Sequence, residues 1–294
     1  MKKGKKDGTK FDPYQAITDK VIDLLEQGTV PWVKPWSTVP PLSIRGTGYR
    51  GINHFILSCA PYTDNRWLTF KEISARGGHV IKGEKHWPVV FFKWITKEQS
   101  DGTTEGSTFP ILVYYRVFNV EQTEGLELPP VETIEGGEFT PVESAEAIVA
   151  DMPSPPKVET KGQQACYIPS TDTVEMPAKE RFRNEESYYS VKLHELVHST
   201  GHKSRLDRKE VSAPQPFGSA DYSKEELVAE MGAAYLCGRA GILETTIDNS
   251  VSYIDGWLSK LRKDKKLLVI AAAQAQKAAD SILNVKYEEE NSTE

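Results

Sequence analysis

His194-Glu195-Leu196-Val197-His198 decides how this chain is read. On a helix, two histidines four residues apart project from one face, at a separation that a single divalent ion can bridge. Glu195 sits about 100° around the same helix from His194. There its carboxylate can hold and deprotonate a water at the ion instead of ligating the ion itself. Leu193, Leu196 and Val197 interleave with these polar groups, the pattern of a helix half-buried beneath a cleft. That apolar spacing predicts a helix from about Asn184 to Thr200, stopped by Gly201.

A catalytic zinc takes three protein ligands and leaves one position open, so a third ligand is required. Glu226, on the next predicted helix (about Ser223 to Arg239), is the favoured candidate, with Glu230 one turn later as a partner to a ligand histidine. Ser223-x-x-Glu226 also reads as a capping box, which would turn Glu226 back to the helix end and leave Glu230 as the ligand. His202, beyond the break at Gly201, is a further alternative. Glu225 is expected to face solvent. His202, Tyr222 or Arg205 would then be available as an extra donor to an oxyanion, and strand-like Thr173 to Met176 as an edge for an extended peptide. A zinc nucleoside deaminase would need His-x-Glu and Pro-Cys-x-x-Cys, and neither occurs.

The 294 residues, 38% of them hydrophobic, suffice for two domains. Leu267 to Ala273 is too short an apolar stretch to span a bilayer, and the basic start Met1-Lys2-Lys3 has no apolar run after it to make a secretory signal. A cytoplasmic protein is expected. Cys59, Cys166 and Cys237 are far apart, odd in number and without a Cys-x-x-Cys pair, which argues against a disulfide framework and a thiolate zinc site; they are expected to be small buried hydrophobes. The net charge of −6 hides an asymmetry. Residues 1–120 carry 17 Lys+Arg against 11 Asp+Glu, a balance of +6, and the remainder carries 19 against 31, a balance of −12. A basic front half on an acidic chain points to an anionic partner for that half.

The segments divide accordingly. Residues 1–127 read as an α+β domain: a helix capped by Asp12-Pro13 and ended at Gly28, another from Thr69 to Gly77, and a hairpin of Pro88 to Ile95 with Phe109 to Val120. Residues 128–160 are rich in Pro, Glu and Gly and read as a linker, with a short helix over Ser144 to Ala150. Residues 161–294 form a second, mostly helical domain, with short strands at Cys166-Ile168 and Thr173-Met176 and a long helix from Asn249 to Leu283. In the first domain, tryptophans are interleaved with cations, a composition suited to single strands because every base offers a face to stack on. Trp32, Lys34, Trp36, Tyr49, Arg50, Arg66, Trp67, Lys82 and Lys85 are the candidate DNA contacts.

These residues together resemble the ArdC-type antirestriction proteins of conjugative plasmids. The resemblance rests on Val30-Pro31-Trp32-Val33-Lys34-Pro35-Trp36, Tyr49-Arg50-Gly51-Ile52-Asn53, Arg66-Trp67-Leu68-Thr69-Phe70, Gly77 to Glu84 and Val117 to Gln122. In the second half it rests on His194 to His202, Ser204-Arg205-Leu206 and Glu225 to Glu230. It implies an N-terminal domain that binds single-stranded DNA, largely without regard to sequence, and a C-terminal zincin-like, gluzincin-type metallopeptidase domain. Glu195 would be the catalytic base and His194, His198 and Glu226 the ligands of zinc, with manganese or cobalt possible. The implied role is protection of incoming plasmid DNA during conjugation, with a possible protein substrate. The alternative is a DNA-binding shield whose metal site is structural or inactive.

Overall fold

The computed structural model describes residues 11–32, 40–96, 108–128, 140–212, 220–242 and 251–285. In the N-terminal half these comprise α1 (Pro13–Glu26), β1 (Leu42–Ser43), α2 (Ile52–Ser58), β2 (Arg66–Thr69), α3 (Phe70–Ala75), β3 (His79–Val80), β4 (Trp87–Thr96), β5 (Thr108–Asn119) and β6 (Thr123–Glu124). Then come α4 (Pro141–Ala150), β7 (Lys157–Thr160), β8 (Cys166–Ile168), β9 (Thr173–Met176), α5 (Glu185–Thr200), α6 (Lys209–Ser212), α7 (Ala220–Ala240), α8 (Val251–Lys263) and α9 (Leu267–Ile282). The architecture is α+β, and no helix among the described residues is long and apolar enough to cross a membrane.

Local chemistry starts these elements where the sequence predicts. Asp12 accepts the Tyr14 amide at 2.9 Å ahead of Pro13, and Thr69 and Glu72 close a reciprocal capping box at α3. Three boundaries differ. The helix expected at Ser144 begins at Pro141, because Thr140 with Glu143 provides the capping box. Part of the stretch 128–160 that reads as a linker is thus folded: α4 packs on α5 and α7, and β7 pairs with β9. The helix expected from Asn249 to Leu283 is two helices among the described residues, from which Asn249 falls outside. They are separated at Asp264-Lys265-Lys266, where the Asp264 carboxylate accepts the Lys266 amide at 2.9 Å and Lys265 pairs with Asp12. Helix α7 starts at Ala220, before Ser223, which removes the capping-box reading of Ser223 and Glu226.

A four-stranded sheet runs β1-β2-β5-β4, and a three-stranded sheet runs β7-β9-β8. Strand β9 is central, so the sheet edge that packs beside α5 is β8 and not Thr173 to Met176. In the larger sheet β4 is an edge. Its free backbone at Val90 is paired by the Asn53 side chain, which donates to the carbonyl and accepts from the amide, each at 2.8 Å. That local cover protects an otherwise open edge. Cys59 and Cys237 are buried as expected, but Cys166 on β8 is exposed.

One hydrophobic core joins the two halves. Ile17, Val21, Trp32 and Phe55 pack in the same cluster as Leu196, Leu227, Trp257 and Leu268. Trp32 is fully buried, its indole edge-on to Trp257 at 5.9 Å and donating to Glu230 Oε2 at 3.0 Å. Because this indole fills space between the halves, Trp32→Ala is expected to cost about 3–5 kcal/mol, and the wild type should unfold in a single calorimetric transition. Two separate transitions, with only the first shifted by the substitution, would contradict a shared core.

Candidate metal centre

Helix α5 is capped by Asn184, whose side chain accepts the Ser187 amide at 2.8 Å, and ends at Gly201. Its inner face is Tyr189, Leu193, Leu196 and Val197, all buried. Against it lies α7, whose Gly232 faces Val197. A Cβ at Gly232 would fall 2.7 Å from Val197 Cγ1 and 2.8 Å from Cγ2. A β-branched valine held in a helix has little rotamer freedom to yield, so only glycine lets the helices come this close. The approach brings Glu226 on α7 opposite His194 and His198 on α5.

The three groups converge. His194 Nε2 and His198 Nε2 are 3.1 Å apart, and the Glu226 carboxylate oxygens lie 3.7 Å from the first and 3.6 Å from the second. Tetrahedral ligands at about 2.0–2.2 Å from a zinc ion are separated by about 3.3 Å, so these donors fit one divalent cation. Their chemistry fits as well: two ring nitrogens facing each other and a carboxylate gather electron pairs at one point. Among the described residues this is the group of three His, Cys, Asp or Glu side chains with that geometry. Glu195 is buried on the same helix and outside the triad, and its charge acts on both His198 and Cys166 of β8.

Behind the triad stands a support that the sequence reading misses. Glu225, expected to face solvent, is buried, and its Oε1 lies 3.2 Å from His198 Nδ1. Buried Arg208 holds that carboxylate with two bonds, Nε to Oε2 at 3.0 Å and Nη2 to Oε1 at 2.6 Å. It also donates to Thr200 Oγ1 and the Val197 carbonyl. Burial favours neutral Glu225, but His198 and Arg208 outweigh it and keep the carboxyl below its usual range. For His198, burial opposes the charge, yet Glu225, Glu226 and Glu195 together raise the imidazolium above its usual range. A ligand histidine donating its other ring N–H to a carboxylate is the usual second layer of a metal site. The signal was present in the sequence: adjacent glutamates on one helix are about 100° apart, so one can reach the ion while the other reaches behind a histidine.

The other site candidates lie elsewhere. Glu230 is not with the triad; it accepts from Trp32 and from the Tyr253 hydroxyl. Burial pushes its carboxyl up to about 7, against the pull of Tyr253, His194 and Trp32. His202 turns to Ser204, 2.7 Å away. Arg205 is occupied by Asp172 and by the Ser199 and Ser154 carbonyls, bracing the β9 turn against α5. The Tyr222 side chain lies outside the described residues.

Of the candidate DNA contacts, Trp32 and Trp67 are buried and present no face to a base. Large aromatics with so much apolar area fill cores first. Arg50 pairs with Asp280 and Arg66 with Asp64 at 2.7 Å, Tyr49 is half-buried against the Trp67 cluster, and Lys34 and Trp36 lie outside the described residues. Lys82 and Lys85 are exposed.

Residues 143–274 match the family described as zincin-like metallopeptidase, and residues 11–118 match the N-terminal domain of anti-restriction factor ArdC. The chain superimposes on the metal-free crystal structure of antirestriction ArdC from plasmid R388 with a TM-score of 0.72, at 36% identity, covering 92% of this chain and 97% of that one. The Mn(II)-bound structure of the same protein gives 0.73 at 34% identity over 95% and 100%. Among curated sequences, protein y4eC of Sinorhizobium fredii is 32% identical over 92% of both chains. Two Escherichia coli proteins named DNA primase TraC are 34% and 33% identical over 92% of this chain. The chain spans only 27% and 20% of their lengths.

Four outcomes are expected of this geometry. Glu226→Ala should abolish binding of one equivalent of zinc or manganese measured by calorimetry, and Glu225→Gln should weaken it about 10–100-fold; equal affinities would remove these residues from the site. Gly232→Ala should also lower metal affinity, by spreading α5 from α7. Glu230, raised in the folded state, contributes stability that is present below the ordinary carboxyl value and lost as pH rises toward 7. In chelator, wild-type stability should therefore fall relative to Glu230→Gln by on the order of 2–3 kcal/mol between pH 4.5 and 7.5, and parallel curves would contradict this.

Proposed function

We propose, from the premise that this chain belongs to the ArdC-type antirestriction family, that it is a cytoplasmic protein joining single-stranded-DNA binding to metal-dependent peptide hydrolysis. In this reading its N-terminal half coats incoming plasmid DNA during conjugation, and its C-terminal site cuts a protein that meets that DNA. The observation that carries the enzymatic part is the convergence of His194, His198 and Glu226 with Glu195 left out of the ligand set. A structural zinc closes its coordination with four protein ligands, whereas three with a neighbouring free carboxylate leave a position for substrate. Relatives named DNA primase contain the same stretch within longer chains, which supports work at DNA.

A divalent ion in this site supplies a Lewis acid that polarises a carbonyl and brings the pKa of water to about 7. Two nitrogens and a carboxylate oxygen suit zinc, and manganese shares such donors; the R388 protein has been solved with Mn(II). His194, His198 and Glu226 would hold the ion, while Glu225 and Arg208 fix the ring of His198. Glu195 takes the proton from the attacking water and returns it to the leaving amine. A substrate segment would lie extended along β8, whose Cys166 lies close enough to Glu195 to feel its charge.

Glu195→Gln separates this reading from that of a DNA shield with an idle metal site. Metal content and affinity for single-stranded DNA should be unchanged, hydrolysis of a quenched-fluorescence peptide library should fall by on the order of 10²–10⁴, and survival of transferred plasmid in a restricting host should fall with it. Full protection by Glu195→Gln and by Glu226→Ala would establish the shield instead.

A further inference from the structure

Strands β4 and β5 pair from Trp87 opposite Val117 out to Thr96 opposite Thr108. Near Val89 and Val90 this hairpin is buried between the two hydrophobic clusters. Farther out it carries large exposed side chains: Phe91, Phe92, Trp94, Phe109 and Tyr115. Paired residues share a face and neighbours alternate, so Val90 with Tyr114, Phe92 with Leu112, and Trp94 with Pro110 lie on one side. Trp94 is 65% exposed and Phe92 46%. Exposed Phe11 adds its ring edge-on to Tyr114 at 4.9 Å.

Cations gather at the foot of this face. Arg116 stands on it opposite Pro88, and His86 Nε2 lies 3.1 Å from the Tyr114 hydroxyl. Burial first, and then the charges of Arg116 and Lys20, hold the His86 imidazolium below its usual range. Lys20, 4.0 Å above the Trp87 ring, is likewise lowered by burial, with Asp23 opposing and Lys85 adding to the effect. Arg116 on this face, Lys20 over Trp87 and Lys85, close enough to Lys20 to act on its charge, gather positive charge at the foot of the hairpin whose outer part carries the exposed rings. The cores of protein–protein contacts are depleted of charge, whereas single-strand sites combine stacking aromatics with cations that follow the phosphates. From Pro88 to Trp94 the strand is about 20 Å long, with Val90 buried between the cations at its foot and the exposed rings of Phe92 and Trp94. The foot of the arm also borders a cavity of about 420 Å³ reached by Phe91 and Phe92 and closed by Gln276 and Asp280, within the range that holds a small ligand.

We infer that the outer β4–β5 hairpin is the single-stranded-DNA platform, with bases stacking on Phe92 and Trp94 and phosphates running to Arg116, Lys85 and Lys20. The inference rests on the DNA-binding part of the proposed function and moves its contacts away from the buried Trp32 and Trp67. The indole of Trp94 offers a face that every base can use, so the platform selects unpaired strands and not sequence.

The test uses the full-length protein, fluorescence anisotropy and a labelled oligodeoxythymidylate, beside an abasic strand of equal length, across a salt series. Trp94→Ala should weaken oligodeoxythymidylate binding about tenfold and leave abasic binding unchanged. Arg116→Gln should reduce the salt slope by about one. Lys157→Ala, on β7 of the other half, serves as the control and should bind as wild type. Wild-type binding with both variants equal to it overturns the platform and leaves DNA binding standing; no binding by the wild type overturns both. A wild-type dimer in sedimentation that Trp94→Ala dissociates would make the face a contact between copies and also overturn the inference.

Discussion

The proximity of α7 to α5 sets the geometry of the candidate metal centre. At Gly232 the helices meet against Val197 with no room for a methyl group, and six residues earlier on α7 that spacing sets Glu226 opposite His194 and His198. The same approach carries Glu225 under His198, where Arg208 fixes it from behind. An arginine held by two bonds to a buried carboxylate is geometrically demanding, and here it also gathers the carbonyl and hydroxyl groups at the end of α5. The last turn of α5, the residue leading into α6 and the second turn of α7 are thereby locked to one another around the candidate ligands.

That locked unit is continuous with the N-terminal half. Glu230 sits one turn beyond Glu226, and its carboxylate receives Trp32 from one half and Tyr253 from the other. Nearby the Tyr235 hydroxyl donates to the Gly51 carbonyl, and the Gly51 amide donates to Gln276 on α9. The Tyr49-Arg50-Gly51-Ile52-Asn53 stretch therefore serves packing on both sides: Arg50 pairs with Asp280, and Asn53 closes the edge of β4. A basic, tryptophan-rich front half has the composition of a nucleic-acid binder, yet several of its most suggestive residues are spent on joining the halves.

Much of this was legible in the sequence. Caps and periodicity located α1, α3, α5 and the β4–β5 hairpin, because those signals are local. The His194 to His198 spacing follows from helix geometry, whereas the preference for Glu226 over Glu230 and His202 rests on the gluzincin-type pattern and the family resemblance. What escaped was set by tertiary contact. The offset of about 100° between Glu225 and Glu226 is visible in the sequence, but which of the two meets the histidines directly depends on which side of α7 faces α5. Trp32 and Trp67 could be assigned to core or surface only once the partners Trp257, Glu230, Leu57 and Val117 were in place. Arg208 gave no pattern of its own, since its target lies 17 residues away on another helix.

The most direct test of the account is the position of the ion itself. Crystals loaded with manganese or zinc, with anomalous scattering measured at the metal edge, should show one ion bound by His194, His198 and Glu226 at about 2.0–2.3 Å, with His198 still bonded to Glu225 and Glu195 clear of the ion. An ion bound instead by Glu230 or His202, or one that takes Glu195 as a fourth ligand, would contradict it.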